Sequence, residues 1–178
     1  MKFQSPGAWG VTWSDLSQLD YSRKDLWKYM AGVFSFWCER GVDGFRCDAG
    51  YMVPYEAWEY IVARTREQFP DTIFLLEGLG GSPEVVESLL SGANLDWAYS
   101  ELFQNYNRGQ MDHYLPKCLH TTLKSGNLVH FAETHDNNRL AATSNKFSAM
   151  RSAISAMFSS EGAFGITAGV EWFATERI

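Results

Sequence analysis

The feature that most constrains this chain is an alternation, kept up from residue 24 to residue 167, of short apolar runs with longer segments of helical periodicity. Residues 24–40 bring Leu26, Trp27, Met30, Phe34 and Trp37 to one side of a helix, and Gly41 follows as a stop signal. Val42 to Asp48 then reads as a short buried strand. Pro54 stands where a helix begins, and 55–69 continues it until Pro70 ends it. Thr72 to Glu77 is an apolar run of strand length. Ser82 and Pro83 supply a cap and a first helical residue. Further strands are predicted at Leu95–Ser100, Asn127–Thr134 and Gly162–Thr167, with helices over 110–124 and 145–160. Strands that alternate with helices imply a parallel sheet of buried, apolar strands. No repeat, low-complexity tract or internal linker interrupts the pattern, so one unit is expected. A doubly wound open sheet and part of a (β/α)8 barrel, which needs about 250 residues, both fit. Periodicity leaves both open.

Composition narrows the function classes. The 178 residues are 46% hydrophobic, enough for a core, and 15% aromatic with 7 Trp, 8 Tyr and 12 Phe. So many flat rings suit a sugar-binding cleft or a large aromatic core. The net charge of −6, with no basic run, argues against a nucleic-acid partner. No stretch approaches the roughly 18 apolar residues of a membrane helix, and Met1–Pro6 opens no signal peptide. Cys38, Cys47 and Cys118 are odd in number and lack metal-ligand spacing. Free buried thiols are expected, which fits a cytoplasmic location. No metal or other cofactor is expected in the chain itself.

In parallel α/β folds the reactive groups gather at the C-terminal ends of strands. Asp48, Glu77 and Asp136 stand at three such ends. A retaining glycosidase needs a carboxylate nucleophile and a carboxylic acid roughly 5 Å apart. Adjacent strands lie about 4.8 Å apart, so Asp48 and Glu77 can meet that separation. Arg46, two residues before Asp48, falls on the same side of its strand, and a nearby guanidinium favours an ionised carboxylate. Arg46 therefore marks Asp48 as nucleophile. Glu77 ends an apolar run, and a less polar setting suits a general acid. The sequence Gly78-Leu79-Gly80-Gly81 lacks the lysine and the spacing of a phosphate loop, against a nucleotide binder.

The segments around these acids resemble the α-amylase family. Gly44-Phe45-Arg46-Cys47-Asp48-Ala49 is similar to the segment ending barrel strand four, with the nucleophile. Phe74-Leu75-Leu76-Glu77-Gly78 is similar to the strand-five segment with the acid/base. Phe131-Ala132-Glu133-Thr134-His135-Asp136-Asn137 is similar to the strand-seven segment, and Gly162 to Glu171, more loosely, to that of strand eight. The resemblance spans about residues 13–174. It implies a partial TIM (β/α)8 barrel, approximately strands four to eight with their helices. One domain is expected over 1–178: 1–22 as the end of the loop region before strand four, and 23–178 as the barrel strands. The resemblance further implies Asp136 as transition-state stabiliser and His135 as a ligand of the sugar hydroxyls. Arg46 and Tyr51 join them as substrate-binding residues. Trp97, Tyr99 and Trp172 lie near strand ends, where they could stack on sugars or simply pack. His113, His120 and His130 carry no such context and are read as structural.

The sequence also departs from that pattern. The strand-three motif Asp-x-Val-x-Asn-His is absent, as are the strands before it, and Tyr51 and Met52 replace a family Lys-His pair. With these departures the resemblance implies neither the family's acceptor specificity nor a calcium site in this chain; calcium is left as an option for a full-length parent, and Asp15 reads as a solvated loop acid rather than a leftover ligand. The expected function is a retaining α-glycosidase or transglycosylase acting on α-linked glucans. The alternative is a catalytically inactive or glucan-binding remnant that needs a partner half-barrel. The partners expected are an α-glucan or oligosaccharide and the missing N-terminal half of the barrel, with no nucleic acid and no membrane. Alone, the chain is expected to be inactive and to expose an apolar strand edge of Val42, Phe45 and Cys47.

Overall fold

The computed structural model describes residues 4–8, 10–105 and 107–177. Met1–Phe3, half of the hexapeptide read for a signal peptide, lie outside the described residues. The chain divides into two compact units, Met1–Leu95 and Asp96–Ile178.

The first unit opens with an antiparallel pair, β1 (Gly7–Ala8) and β2 (Val11–Thr12), in which Gly7 faces Thr12. Two-residue strands are too short to show alternation, and the sequence pattern assigned only loop here. The expected alternation then follows as α1 (Lys24–Cys38), β3 (Gly44–Cys47), α2 (Tyr55–Arg66), β4 (Ile73–Leu76) and α3 (Pro83–Ser91). Gly41, at φ 89°, makes the left-handed turn between α1 and β3 that a side chain would resist. The Ser82 hydroxyl caps α3 by accepting from the Val85 N–H at 3.3 Å.

β3 and β4 are parallel, with Phe45 beside Phe74, Arg46 beside Leu75 and Cys47 beside Leu76. This register sorts the side chains. Phe45, Cys47, Phe74 and Leu76 share the helix-covered face. Phe34 of α1 stands edge-on to Phe45 with centroids 4.7 Å apart, 5.4 Å from Phe74 and 6.1 Å from Trp58 of α2. Trp58 donates its indole N–H to the Gly50 carbonyl at 2.8 Å, so its burial leaves no polar atom stranded. The expected apolar edge is met in the backbone, since among the described residues β3 pairs only with β4, but its side chains are corrected. Cys47 is buried and Phe45 packs on Phe34, because both point towards the helices; the exposed side chain of β3 is Arg46. On that opposite face Ile73 is 40% exposed.

The second unit holds β5 (Trp97–Tyr99), α4 (Arg108–Lys124), β6 (Asn127–His130), α5 (Asn145–Phe158) and β7 (Ala163–Phe164). The three strands are parallel, with Ala98 beside Leu128 and Val129 beside Ala163. α4 begins earlier than its periodicity indicates because Asn107 and Gln110 form a reciprocal capping box, at 2.9 and 3.1 Å. The core contains a polar relay: buried His130 contacts Ser100 Oγ at 2.9 Å, and that hydroxyl lies 3.0 Å from the Tyr114 hydroxyl. Burial pushes His130 down and Tyr114 up from their ordinary values, favouring the neutral forms of both. Buried Arg151 donates to the carbonyls of Leu102, Phe103 and Asn105. The three cysteines are free and buried. Among the described residues, no helix is long and apolar enough to cross a membrane.

Ile73 and Trp97, 40% and 37% exposed, leave apolar sheet surface open to water. Such surfaces drive association. The isolated chain is expected to elute from size-exclusion chromatography as oligomers or aggregates; a stable monomer at tens of micromolar would contradict this.

Candidate active site

At the end of β3 the chain presents a charge and then reverses. Arg46 projects from the exposed face, and its Nη1 lies 2.6 Å from Asp48 Oδ1. The Asp48 carboxylate remains 75% exposed. Ala49 then adopts a left-handed conformation (φ 44°), uncommon for a residue with a β-carbon, and Gly50–Met52 form a single 3-10 turn. The turn aims the Ala49 N–H at Glu77.

Glu77 follows β4, as Asp48 follows β3. Its N–H donates to the Cys47 carbonyl at 3.0 Å, and its own carbonyl accepts from Gly50 at 3.2 Å, so the hydrogen bonding between the two segments continues past β4 to Glu77. One carboxyl oxygen accepts the Ala49 N–H at 2.8 Å and the other the Leu79 N–H at 2.9 Å. The residue is only 8% exposed. Burial holds the Glu77 carboxyl above the usual range, and the Asp48 charge adds to the rise. The two amides and the Arg46 guanidinium pull the other way without overcoming burial. Two carboxylates at neighbouring strand ends thus have opposed surroundings: Asp48 in water beside a cation, Glu77 buried and biased towards its neutral form.

Tyr51, on the 3-10 turn, is half-buried, and its phenol is raised by burial and then by the negative charges of Glu77 and Asp48. Gly81 packs on it so closely that a Cβ there would come within 2.8 Å of Tyr51 Cβ. The structure therefore gathers Arg46, Asp48, Tyr51 and Glu77 in the first unit. His135 and Asp136 belong to the second. They sit side by side on an exposed loop after β6, with His135 Nε2 3.3 Å from Asp136 Oδ2. Trp97 and Trp172 are exposed, whereas Tyr99 packs edge-on against Phe131 at 5.1 Å.

Sequence reading missed the amides of Ala49 and Leu79, since backbone donors carry no residue signature. It also passed over Glu133 and Arg139, whose buried ion pair measures 2.5 Å. A charge inside the apolar run Phe131–Glu133 was a usable signal, because a buried carboxylate requires a partner.

The residues present do not fit a calcium site. Asp15 is exposed, and among the described residues no group of three or more His, Cys, Asp or Glu side chains is gathered as a metal site.

Comparison with known proteins agrees with the motifs. The chain is 30% identical over 93 residues to the α-1,4-glucan:maltose-1-phosphate maltosyltransferase of Rhodospirillum rubrum, a match covering 52% of this chain and 13% of that protein. It is 28% identical over 115 residues to the enzyme of the same name from Chlorobaculum tepidum, covering 63% and 17%. An α-amylase from Lactobacillus plantarum superposes with a TM-score of 0.74 at 23% identity, over 98% of this chain and 45% of that structure. An α-amylase from Geobacillus thermoleovorans complexed with acarbose gives the same TM-score and coverages at 14% identity. No protein-family profile matches. The α/β architecture, with its parallel strands and flanking helices, is that of the C-terminal part of an amylase-type barrel. The chain spans less than half of these structures, and its matches cover less than a fifth of the maltosyltransferases.

Carboxyl carbon NMR of a chain labelled at glutamate is expected to give Glu77 a titration midpoint above the ordinary value of about 4.3. The sign follows from burial. Any stability linked to this group is present below the unfolded pKa and lost as pH rises through the raised folded value. A midpoint at or below the ordinary value would remove the electrostatic asymmetry between the two acids.

Proposed function

We propose that this chain carries the reacting carboxylates of an enzyme that cleaves and re-forms α-glucan linkages by double displacement, with retention at the anomeric carbon. The observation that carries the reading is the pair of acids at matched positions beyond β3 and β4. Asp48 is exposed and paired to Arg46, while Glu77 is buried and raised. Those are the states a nucleophile and a general acid need.

In the first step the Asp48 carboxylate attacks the anomeric carbon as the glycosidic bond breaks. Glu77 gives its proton to the departing sugar oxygen. A covalent glycosyl ester on Asp48 results. In the second step Glu77, now ionised, takes a proton from the acceptor hydroxyl, whose oxygen attacks the anomeric carbon and releases Asp48. The Ala49 and Leu79 amides keep the Glu77 carboxyl from rotating between the two steps. Arg46 orients Asp48, and Tyr51 offers an aromatic surface and a hydroxyl beside both acids. Asp136 is assigned to strengthening contacts as the sugar distorts, and His135 to its hydroxyls, on the resemblance of their motif. Similarity to maltosyltransferases favours a sugar acceptor over water. Residues 1–178 are proposed to act as part of one barrel domain completed by an N-terminal half. The three free, buried cysteines suit a cytoplasmic setting.

Within that complete barrel, Asp48→Asn, Glu77→Gln and Asp136→Asn are each expected to lower turnover at least about 10³-fold on maltooligosaccharides. Near-normal activity of one variant would strike that residue from the mechanism. No turnover by the unaltered barrel would favour the glucan-binding remnant.

The first product anomer, followed by NMR, is expected to keep the α configuration; initial β product would rule out double displacement. Arg46→Met should slow the enzyme and move the alkaline limb of kcat/KM to higher pH, since removing the cation raises Glu77 further. An alkaline limb that stays put would assign it to another group.

A further inference from the structure

We infer that the buried Glu133–Arg139 ion pair is a clamp that positions the exposed loop bearing His135 and Asp136; as a contribution to catalysis this rests on the roles proposed for those two residues.

The loop after β6 has buried ends and an exposed tip. Glu133 and Arg139 are 3% and 2% exposed, whereas residues 135–138 are all exposed. Two full charges inside a protein are tolerable only when they satisfy each other and their neighbours. Here Arg139 Nε lies 2.5 Å from Glu133 Oε1, so the two ends of the loop are joined by opposite charges. The second carboxyl oxygen of Glu133 accepts the Leu140 N–H at 2.7 Å.

The same two residues are anchored to the segment after β7. The Glu133 main-chain carbonyl accepts the Thr167 hydroxyl at 2.5 Å, and Arg139 Nη2 donates to the Ala168 carbonyl at 3.0 Å. Gly169 makes room: its φ is 98°, and a Cβ there would come within 2.9 Å of Arg139 Nη2. The pair thus ties residues 133, 139–140 and 167–168 into one rigid base.

Contacts at the tip are local or exposed: Thr134 hydrogen-bonds Asn137, His135 faces Asp136, and Asn138 accepts from Arg177 at 2.9 Å. None of these is buried. The placement of His135 and Asp136 therefore follows from the base beneath them. The guanidinium meets the carboxylate through Nε and the Ala168 carbonyl through Nη2, while Nη1 is buried without a hydrogen-bond partner; a lysine keeps the charge but cannot reach both groups at once.

The test compares Arg139→Lys, Asp136→Asn and the double variant in the completed barrel, with hydrogen exchange of the Leu140 amide as a second readout. Arg139→Lys is expected to lower kcat about 10²-fold, the scale of a displacement near 1 Å, with little change in KM. Combined with Asp136→Asn it should add almost nothing to the loss from Asp136→Asn alone, because both act through one group. Exchange should quicken at the buried Leu140 amide, which Glu133 holds, while β6 and α5 stay protected. Losses that multiply, or unchanged exchange at Leu140, would overturn the clamp. Near-normal turnover of Asp136→Asn would instead overturn the catalytic reading and the clamp's part in catalysis with it. In that case exchange still reports whether the pair holds the loop.

Discussion

The parallel pairing of Gly44–Cys47 with Ile73–Leu76 governs the chemistry available to the first unit. Because Cys47 pairs with Leu76 and its carbonyl accepts the Glu77 N–H, the two acids follow the paired strands at matched positions. A slip of one residue would turn Arg46 towards the helices and bring a phenylalanine or cysteine to the exposed face. The aromatic packing of Phe34 against Phe45 and Phe74 guards against that slip, since those rings fit only one face.

On this frame, small local choices separate the two carboxylates. Asp48 is released into solvent beside Arg46, and Glu77 is drawn under the turn that follows Asp48. The left-handed Ala49 makes the link: its strained backbone turns an N–H onto Glu77, and the turn that follows keeps Tyr51 within the electrostatic reach of both acids. The second unit handles buried polarity by pairing instead. Glu133 finds Arg139, Arg151 finds three carbonyls, and His130 finds Ser100, although Arg139 Nη1 and Ser152 Oγ stay buried without a hydrogen-bond partner.

Much of this was legible in the residues. Gly41, Pro54 and Ser82 punctuate the chain where helices start and stop, each acting through its own backbone or side chain over a few residues, whereas α2 ends at Arg66, short of the Pro70 expected to stop it. The strands were visible as apolar runs, though drawn too long: Asp48, Glu77 and Thr134 lie past the last residues of β3, β4 and β6. The side chains of Val42, Phe45 and Cys47, expected exposed on that edge, are buried or half-buried for a related reason. Period two says that alternate residues share a face, but not which face the helices cover.

The sequence by itself determined the order and type of the elements, the placing of Asp48, Glu77 and Asp136 near strand ends, and the common side of Arg46 and Asp48. These depend on propensities and periodicities that act within one segment. Tertiary structure decided that Glu77 and not Asp48 is the buried acid, that Ala49 and Leu79 hold it, and that Glu133 and Arg139 share a charge pair. Each of these joins residues on different segments, or depends on how much water a neighbouring segment excludes. Burial, and with it the protonation of a carboxyl group, belongs to the packed chain.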